Sequence, residues 1–71
     1  MLGQLKDYFV NHGVNAYFDA PGILEISNKD ELIQIWEHEE NIDENYIYTN
    51  TSKKFRNWFE AFNYVKERLE L

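Results

Sequence analysis

The sequence predicts a small α+β domain in which two helices cover one face of an antiparallel sheet. Apolar residues recur at helical spacing at both ends of the chain, and short alternating segments separated by turn-forming residues fill the middle. A length of 71 residues leaves room for only two layers. We therefore expect one domain, residues 1–71, in the order helix, four strands, helix, with the second sheet face uncovered.

The first predicted helix covers residues 2–12. Leu2, Leu5 and Phe9 lie on one side of it. His12 followed by Gly13 is typical of a helix end, because glycine readily adopts the left-handed conformation that closes the last turn.

Four short strands should follow as a meander of hairpins. Pro21-Gly22 fits the centre of a type II turn, and residues 28–31 are turn-forming. The third connection is predicted to be the acidic segment Glu37–Glu44. The predicted strands are residues 14–18, 23–27, 32–37 and 46–49.

Residues 53–70 carry the strongest helical pattern, with no Gly or Pro inside it. Asn50, Thr51 or Ser52 is predicted to cap its N-terminus. The apolar side of this helix is predicted to contain Phe55, Trp58, Phe59, Phe62, Val65 and Leu69.

Alternation along the strands divides their side chains between two faces. The residues predicted to face the helices are Val14, Ala16, Phe18, Leu24, Ile26, Ile33 and Ile35. The residues then expected on the uncovered face are Tyr17, Ile23, Glu25, Leu32 and Trp36, joined by Tyr46 and Tyr48 if Ile47 faces the helices. Such an aromatic surface is typical of an interaction site, although aromatic residues also form simple cross-strand pairs.

Five carboxylates fall within eight residues of the acidic segment, with no Lys or Arg among them: Glu37, Glu39, Glu40, Asp43 and Glu44. Trp36 precedes the segment, and Tyr46 and Tyr48 follow it. Together these eight residues are the predicted partner-binding set, and a basic protein is the partner they favour. The alternative is that the acids keep the protein soluble and protect sheet edges.

Lys53, Lys54 and Arg56 hold three of the seven cations and lie in the predicted first turn of the second helix, where the helix dipole disfavours positive charge. They could contact an anion or a single nucleic-acid strand beside nearby aromatic residues. The alternative is that they pair with acids of the preceding hairpin.

Composition narrows the function classes. Thirteen acidic against seven basic residues give a formal net charge of −6, which disfavours nucleic acid and anionic membranes as partners. The sequence has no cysteine, no glycine-rich phosphate loop, no HExxH motif and no nucleophile motif, so neither an enzyme nor a cofactor site is expected. No signal peptide or apolar span is visible, and a cytoplasmic location is expected.

The leading hypothesis is therefore a non-enzymatic protein-interaction module, such as a small regulator or inhibitor. The first alternative is a weak nucleic-acid binder that uses Lys53, Lys54 and Arg56. The second is a homodimer formed across the uncovered face, in a protein whose many Asn, Ile, Glu and Tyr residues are typical of low-GC bacteria and their phages.

Overall fold

A computed structural model describes residues 1–71 and confirms the α+β fold with an N-terminal and a C-terminal helix. The sheet has five antiparallel strands in sequence order, four long ones and a short fifth that was not predicted. Neither helix is long and apolar enough to cross a membrane. The elements are α1 (Leu2–Asn11), β1 (Asn15–Ala20), β2 (Ile23–Asn28), β3 (Glu31–Asn41), β4 (Glu44–Thr49), β5 (Lys54–Phe55) and α2 (Trp58–Arg68).

Two glycines make the predicted chain reversals possible. Gly13 follows α1 with φ of +77°, and Gly22 follows Pro21 with φ of +79°. The second value is the one required at the third position of a type II turn, where glycine has no steric penalty.

The core lies on one side of the sheet, between the strands and both helices. Leu5 and Phe9 of α1 and Ala61 and Val65 of α2 are buried against it. The strand residues predicted to face the helices are buried there, except for Phe18 at the sheet edge, which is 41% exposed. The strands contribute Ala16, Leu24, Ile26, Ile33, Ile35 and Ile47 to the core, and Val14, just before β1, adds to them.

The start of the second helix was predicted too early. α2 begins at Trp58, and the side chain of Asn57 caps it by accepting a hydrogen bond from the Glu60 amide at 2.8 Å. With this start, the buried side of α2 includes Ala61, and Phe59 points outward with 74% of its surface exposed. The prediction of a cap at residues 50–52 and of a buried Phe59 is wrong.

The acidic segment is a strand rather than a loop. β3 runs for eleven residues through it, and the chain reverses only at Ile42 and Asp43. Asp43 has φ of +62°, a left-handed conformation that aspartate tolerates better than most residues. Because β3 and β4 both extend further than predicted, most of the acids have fixed positions on a strand.

Residues 50–53 connect β4 to β5 through a partly buried hydroxyl network. Thr49 is the one buried polar residue, and its hydroxyl contacts the backbone of Lys53 and the hydroxyl of Thr51. The Thr51 hydroxyl lies 2.6 Å from that of Tyr64 on α2. This connection turns the chain back along β4 and so creates β5, which places Lys54 within the sheet rather than within a helix.

Candidate protein-interaction site

The hairpin of β3 and β4 projects beyond the rest of the sheet. The last β2–β3 pair is Leu24 with Ile35, and β5 pairs with β4 only at Ile47 and Tyr48. We call residues 37–46 the ribbon. They are paired between β3 and β4 but not with β2, and they lie almost entirely beyond β5. No residue of the ribbon is buried, so the ribbon contributes nothing to the hydrophobic core.

Aromatic side chains line the face of the hairpin that points away from the helices, which we call the open face. Trp36 lies opposite Tyr48 with the two rings nearly parallel, 12° apart, and their centroids separated by 6.0 Å. His38 lies opposite Tyr46, and the Tyr46 and Tyr48 rings are 6.4 Å apart. Trp36, Tyr46 and Tyr48, predicted for this face from alternation, therefore form one continuous surface with His38, which the sequence analysis did not include.

Two of the three predicted cations join this aromatic surface. The Nζ atom of Lys54 lies 4.4 Å from the centroid of the Tyr46 ring and 5.8 Å from that of Tyr48. The Arg56 guanidinium lies 5.4 Å from the Tyr46 centroid. All three distances fall within the range of cation–π attraction. Lys53 is exposed and makes no ion pair, so the structure separates it from this contact.

Lys54 also makes the one ion pair of the ribbon. Its Nζ atom lies 3.0 Å from the Oε1 atom of Glu40, which bridges β5 to β3 across β4. This contact is the pairing of hairpin acids with basic residues that the sequence left open as an alternative. It neutralises one of the five predicted acids.

The other four acids of the ribbon have no basic partner. The remaining ion pairs of the protein, Lys29 with Glu70 and Arg68 with Glu31, lie elsewhere. Alternation places the side chains of two of these acids on the helix side of the sheet and that of Glu44 on the open face, where it accepts a hydrogen bond from Asn41. The four acids are Glu37, Glu39, Asp43 and Glu44.

A polar row that the sequence analysis did not identify borders the aromatic surface. Tyr17 donates a hydrogen bond to the carboxylate of Glu25, and the side-chain amide of Gln34 donates another to the same carboxylate at 3.1 Å. The hydrogen bond to Glu25 raises the pKa of Tyr17 above its ordinary value, and desolvation and the charges of Glu25 and Asp19 add to the shift. Alternation along each strand could have placed Tyr17, Glu25 and Gln34 together on the open face, because each of them lies between two residues predicted to face the helices.

No three His, Asp or Glu side chains come together as a metal site. The one surface depression is away from the ribbon and is lined by Glu31, Tyr64, Glu67, Arg68 and Glu70. The ribbon carries carboxylates on both faces of the sheet and flat aromatic rings on the open face.

No protein-family model, curated protein or solved structure matches the chain. The function is therefore inferred from the geometry of the candidate site.

Proposed function

We propose that the protein is a non-enzymatic interaction module that binds a basic segment of another protein at the ribbon and acts as a regulator or inhibitor of that partner. One observation carries the proposal: four carboxylates of the ribbon, three exposed and that of Glu44 half-buried, make no ion pair within the protein, although the ribbon contributes nothing to the core. A strand holds most of these charges at fixed intervals, so a partner meets them without first ordering a loop.

The aromatic surface suits the same partner. Lys and Arg side chains carry an apolar stem as well as a charge, and they pack their stems against flat rings. Within the protein itself, the charged groups of Lys54 and Arg56 lie over the Tyr46 ring. A basic segment laid along the ribbon would therefore find the carboxylates of Glu37 and Glu39 on the helix side of the sheet. On the open face it would find the carboxylate of Glu44 and the rings of Trp36 and Tyr48, against which the stem of a Lys or Arg can pack.

Binding of labelled basic peptides, followed by fluorescence anisotropy at several salt concentrations, tests the proposal. The ribbon variant carries Glu37→Gln, Glu39→Gln, Asp43→Asn and Glu44→Gln. If each of the four lost contacts is worth about 0.2–1 kcal/mol, the dissociation constant should rise at low salt by between about fourfold and several hundredfold. The difference should shrink as salt screens the charges.

A control variant removes the same number of charges from other surfaces. It carries Asp7→Asn, Asp30→Asn, Glu60→Gln and Glu67→Gln, all at exposed positions. This variant loses only the general attraction between a negatively charged protein and a basic peptide, so its affinity for the peptide should stay close to that of the wild type. Equal weakening in the two variants would show that net charge, and not the ribbon, determines binding.

A second candidate function is supported by the placement of Lys54 and Arg56 over Tyr46 on the open face. Single-stranded nucleic acids bind to rings flanked by cations in this way. However, Glu40 neutralises Lys54, and the net charge of −6 repels phosphates. Titration of a labelled single-stranded oligonucleotide at low salt tests this function, and an unchanged anisotropy rejects it.

A further inference from the structure

The ribbon has an open strand edge. β3 pairs with β2 only as far as Ile35, and none of the hydrogen bonds made by the turns and loops involves the backbone of residues 37–41. On its other side the same stretch is paired with β4. A strand edge of this kind presents backbone donors and acceptors to whatever lies beside it.

The hydrogen bonds of Gln34 show which backbone groups face this edge. The Gln34 carbonyl accepts from the Asn50 amide at 3.2 Å, and the Gln34 amide donates to the Asn50 side chain at 2.9 Å, so both groups of Gln34 point towards the β4 side. Backbone direction alternates along an antiparallel strand. His38 therefore points towards β4, whereas Glu37 and Glu39 direct their N–H and C=O groups to the open edge.

We propose that an extended segment of the partner protein, with Lys or Arg at alternate positions, adds to this edge as an antiparallel strand. The inference rests on the proposed function and specifies how the basic segment is held. Backbone hydrogen bonds form at Glu37 and Glu39, and the partner residue opposite each glutamate lies on the same face of the sheet as its side chain. The two partner residues that lie opposite the glutamates should be basic, since opposite charges directly across a sheet attract each other.

The residue between the two basic positions should be apolar or aromatic. It would lie beside His38 on the open face, next to the rings of Trp36 and Tyr48. A third strand would also stabilise the ribbon, because a hairpin with only two strands is marginally stable in water. The recognised pattern is therefore a basic residue, an apolar residue and a second basic residue in an extended chain.

A second copy of the protein fits this edge poorly. If two β3 edges paired antiparallel through the groups that face outward, Glu37 of one copy would lie opposite Glu39 of the other, and the reverse pair would repeat the clash. Like charges directly opposite each other are destabilising. The same carboxylates that attract a basic strand therefore oppose self-association along this edge.

Three labelled peptides test the inference. The first contains Thr-Arg-Val-Arg-Thr, the second has the same composition with its two Arg residues adjacent, and the third is the first with N-methyl groups on both Arg residues. The alternating peptide should bind the wild-type protein most tightly. N-methylation should weaken binding by about fivefold for each backbone hydrogen bond that it removes.

A pair of double variants separates the edge from the rest of the ribbon. Glu37→Gln with Glu39→Gln removes the two edge charges, whereas Asp43→Asn with Glu44→Gln removes the same charge outside the edge. The first variant should weaken binding of the alternating peptide more strongly than the second. Equal losses would contradict strand addition.

Amide hydrogen exchange followed by NMR provides a readout that does not depend on affinity. In the free protein the His38 amide should be protected, whereas the Glu37 and Glu39 amides should exchange rapidly. The alternating peptide should slow the exchange of the two glutamate amides. The opposite result would be that the free protein is a dimer by light scattering and that its Glu37 and Glu39 amides are already protected. A second copy would then occupy the edge, and the inference would be overturned.

The outcomes distinguish this inference from the proposed function. If all three peptides bind equally and the fourfold ribbon variant weakens them all, a basic partner still binds the ribbon, but not as a strand. If none of the peptides binds, both the strand addition and the proposed function fail.

Discussion

Replacing Thr49 by Val should destabilise the fold through the hydroxyl network behind the site. Thr49 is 4% exposed, and its Oγ1 atom lies 3.0 Å from the Lys53 carbonyl oxygen and 2.8 Å from Thr51 Oγ1. Each hydroxyl donates once if Tyr64 donates to Thr51, Thr51 to Thr49, and Thr49 to the Lys53 carbonyl. Valine has nearly the same shape, so the substitution removes hydrogen bonds with little change in packing.

The expected loss of stability depends on which hydrogen-bonding groups keep a partner after the substitution. The Lys53 carbonyl keeps its bond from the Thr49 amide at 3.0 Å, but the Thr51 hydroxyl loses its acceptor in a partly buried position, and the Lys53 amide loses the Thr49 Oγ1 atom that accepts from it at 3.3 Å. The loss of these contacts should lower the free energy of unfolding by about 1–2 kcal/mol. Urea denaturation followed by fluorescence should show a lower midpoint with an unchanged slope.

A double-mutant cycle with Tyr64→Phe makes this prediction specific. The single change at Tyr64 should destabilise by about 1 kcal/mol, and the double variant should lose less than the sum of the two single losses by about 0.5 kcal/mol or more. This shortfall arises because Thr51 connects the two hydroxyls in one chain of hydrogen bonds. Strict additivity, or a cost near zero for Thr49→Val, would refute the network as the link that holds β5 in place.

Three further predictions concern residues outside this network. Asn57→Ala removes the cap of α2 and should lower the free energy of unfolding by about 1 kcal/mol in urea denaturation, whereas Asn57→Asp should retain most of it. Phe59→Ala should change that free energy by less than about 0.5 kcal/mol, because the ring is exposed; a loss of several kcal/mol would contradict its outward placement. Glu25→Gln should lower the pKa of Tyr17 in an absorbance titration of the tyrosines. Because folding raises this pKa, the stabilisation is present below the unfolded value of about 10 and is lost as pH rises through the folded value.

Local patterns were sufficient to predict much of the fold. Pro21-Gly22 and Gly13 fixed two chain reversals, because each has a backbone conformation that few other residues adopt. Alternation assigned Ile33 and Ile35 to the core and Trp36 to the open face. Such features depend only on residues that are close together in the sequence, so turn-forming residues and alternating apolar positions are enough to predict them.

Features that depend on distant partners were missed. Glutamate is a poor strand former, so Glu37–Glu40 resembled a loop until pairing with β4 was known. β5 has only two residues, too few for any periodicity, and forms because the Thr49 network returns the chain. The start of α2, in contrast, does have a local signal, because Asn57 stands three residues before Glu60, which is the spacing of a capping box.

The candidate site was only partly predicted for the same reason. The sequence identified the aromatic, acidic and basic groups separately, and it suggested that Lys53, Lys54 and Arg56 lay on a helix. The structure brings Lys54 and Arg56 to Tyr46 on the open face and joins Lys54 to Glu40. Contacts across three strands cannot be read from spacing along the chain, because they depend on the register of each pair.

The ribbon should be dispensable for folding if it exists for binding. Only thirteen of the 71 residues are buried, and none of them lies in the ribbon, so its removal takes nothing from the core. Replacing residues 39–45 with Asn-Gly would join His38 to Tyr46 through a tight hairpin turn, since these two residues face each other across the strands. The shortened protein loses the Glu40–Lys54 pair, which is exposed and worth well under about 1 kcal/mol. Its free energy of unfolding should therefore change by no more than about 1 kcal/mol, while binding of the alternating basic peptide should be lost. A protein that unfolds on this deletion would show that the ribbon is part of the fold itself, and one that still binds the peptide at full strength would place the interaction on another surface.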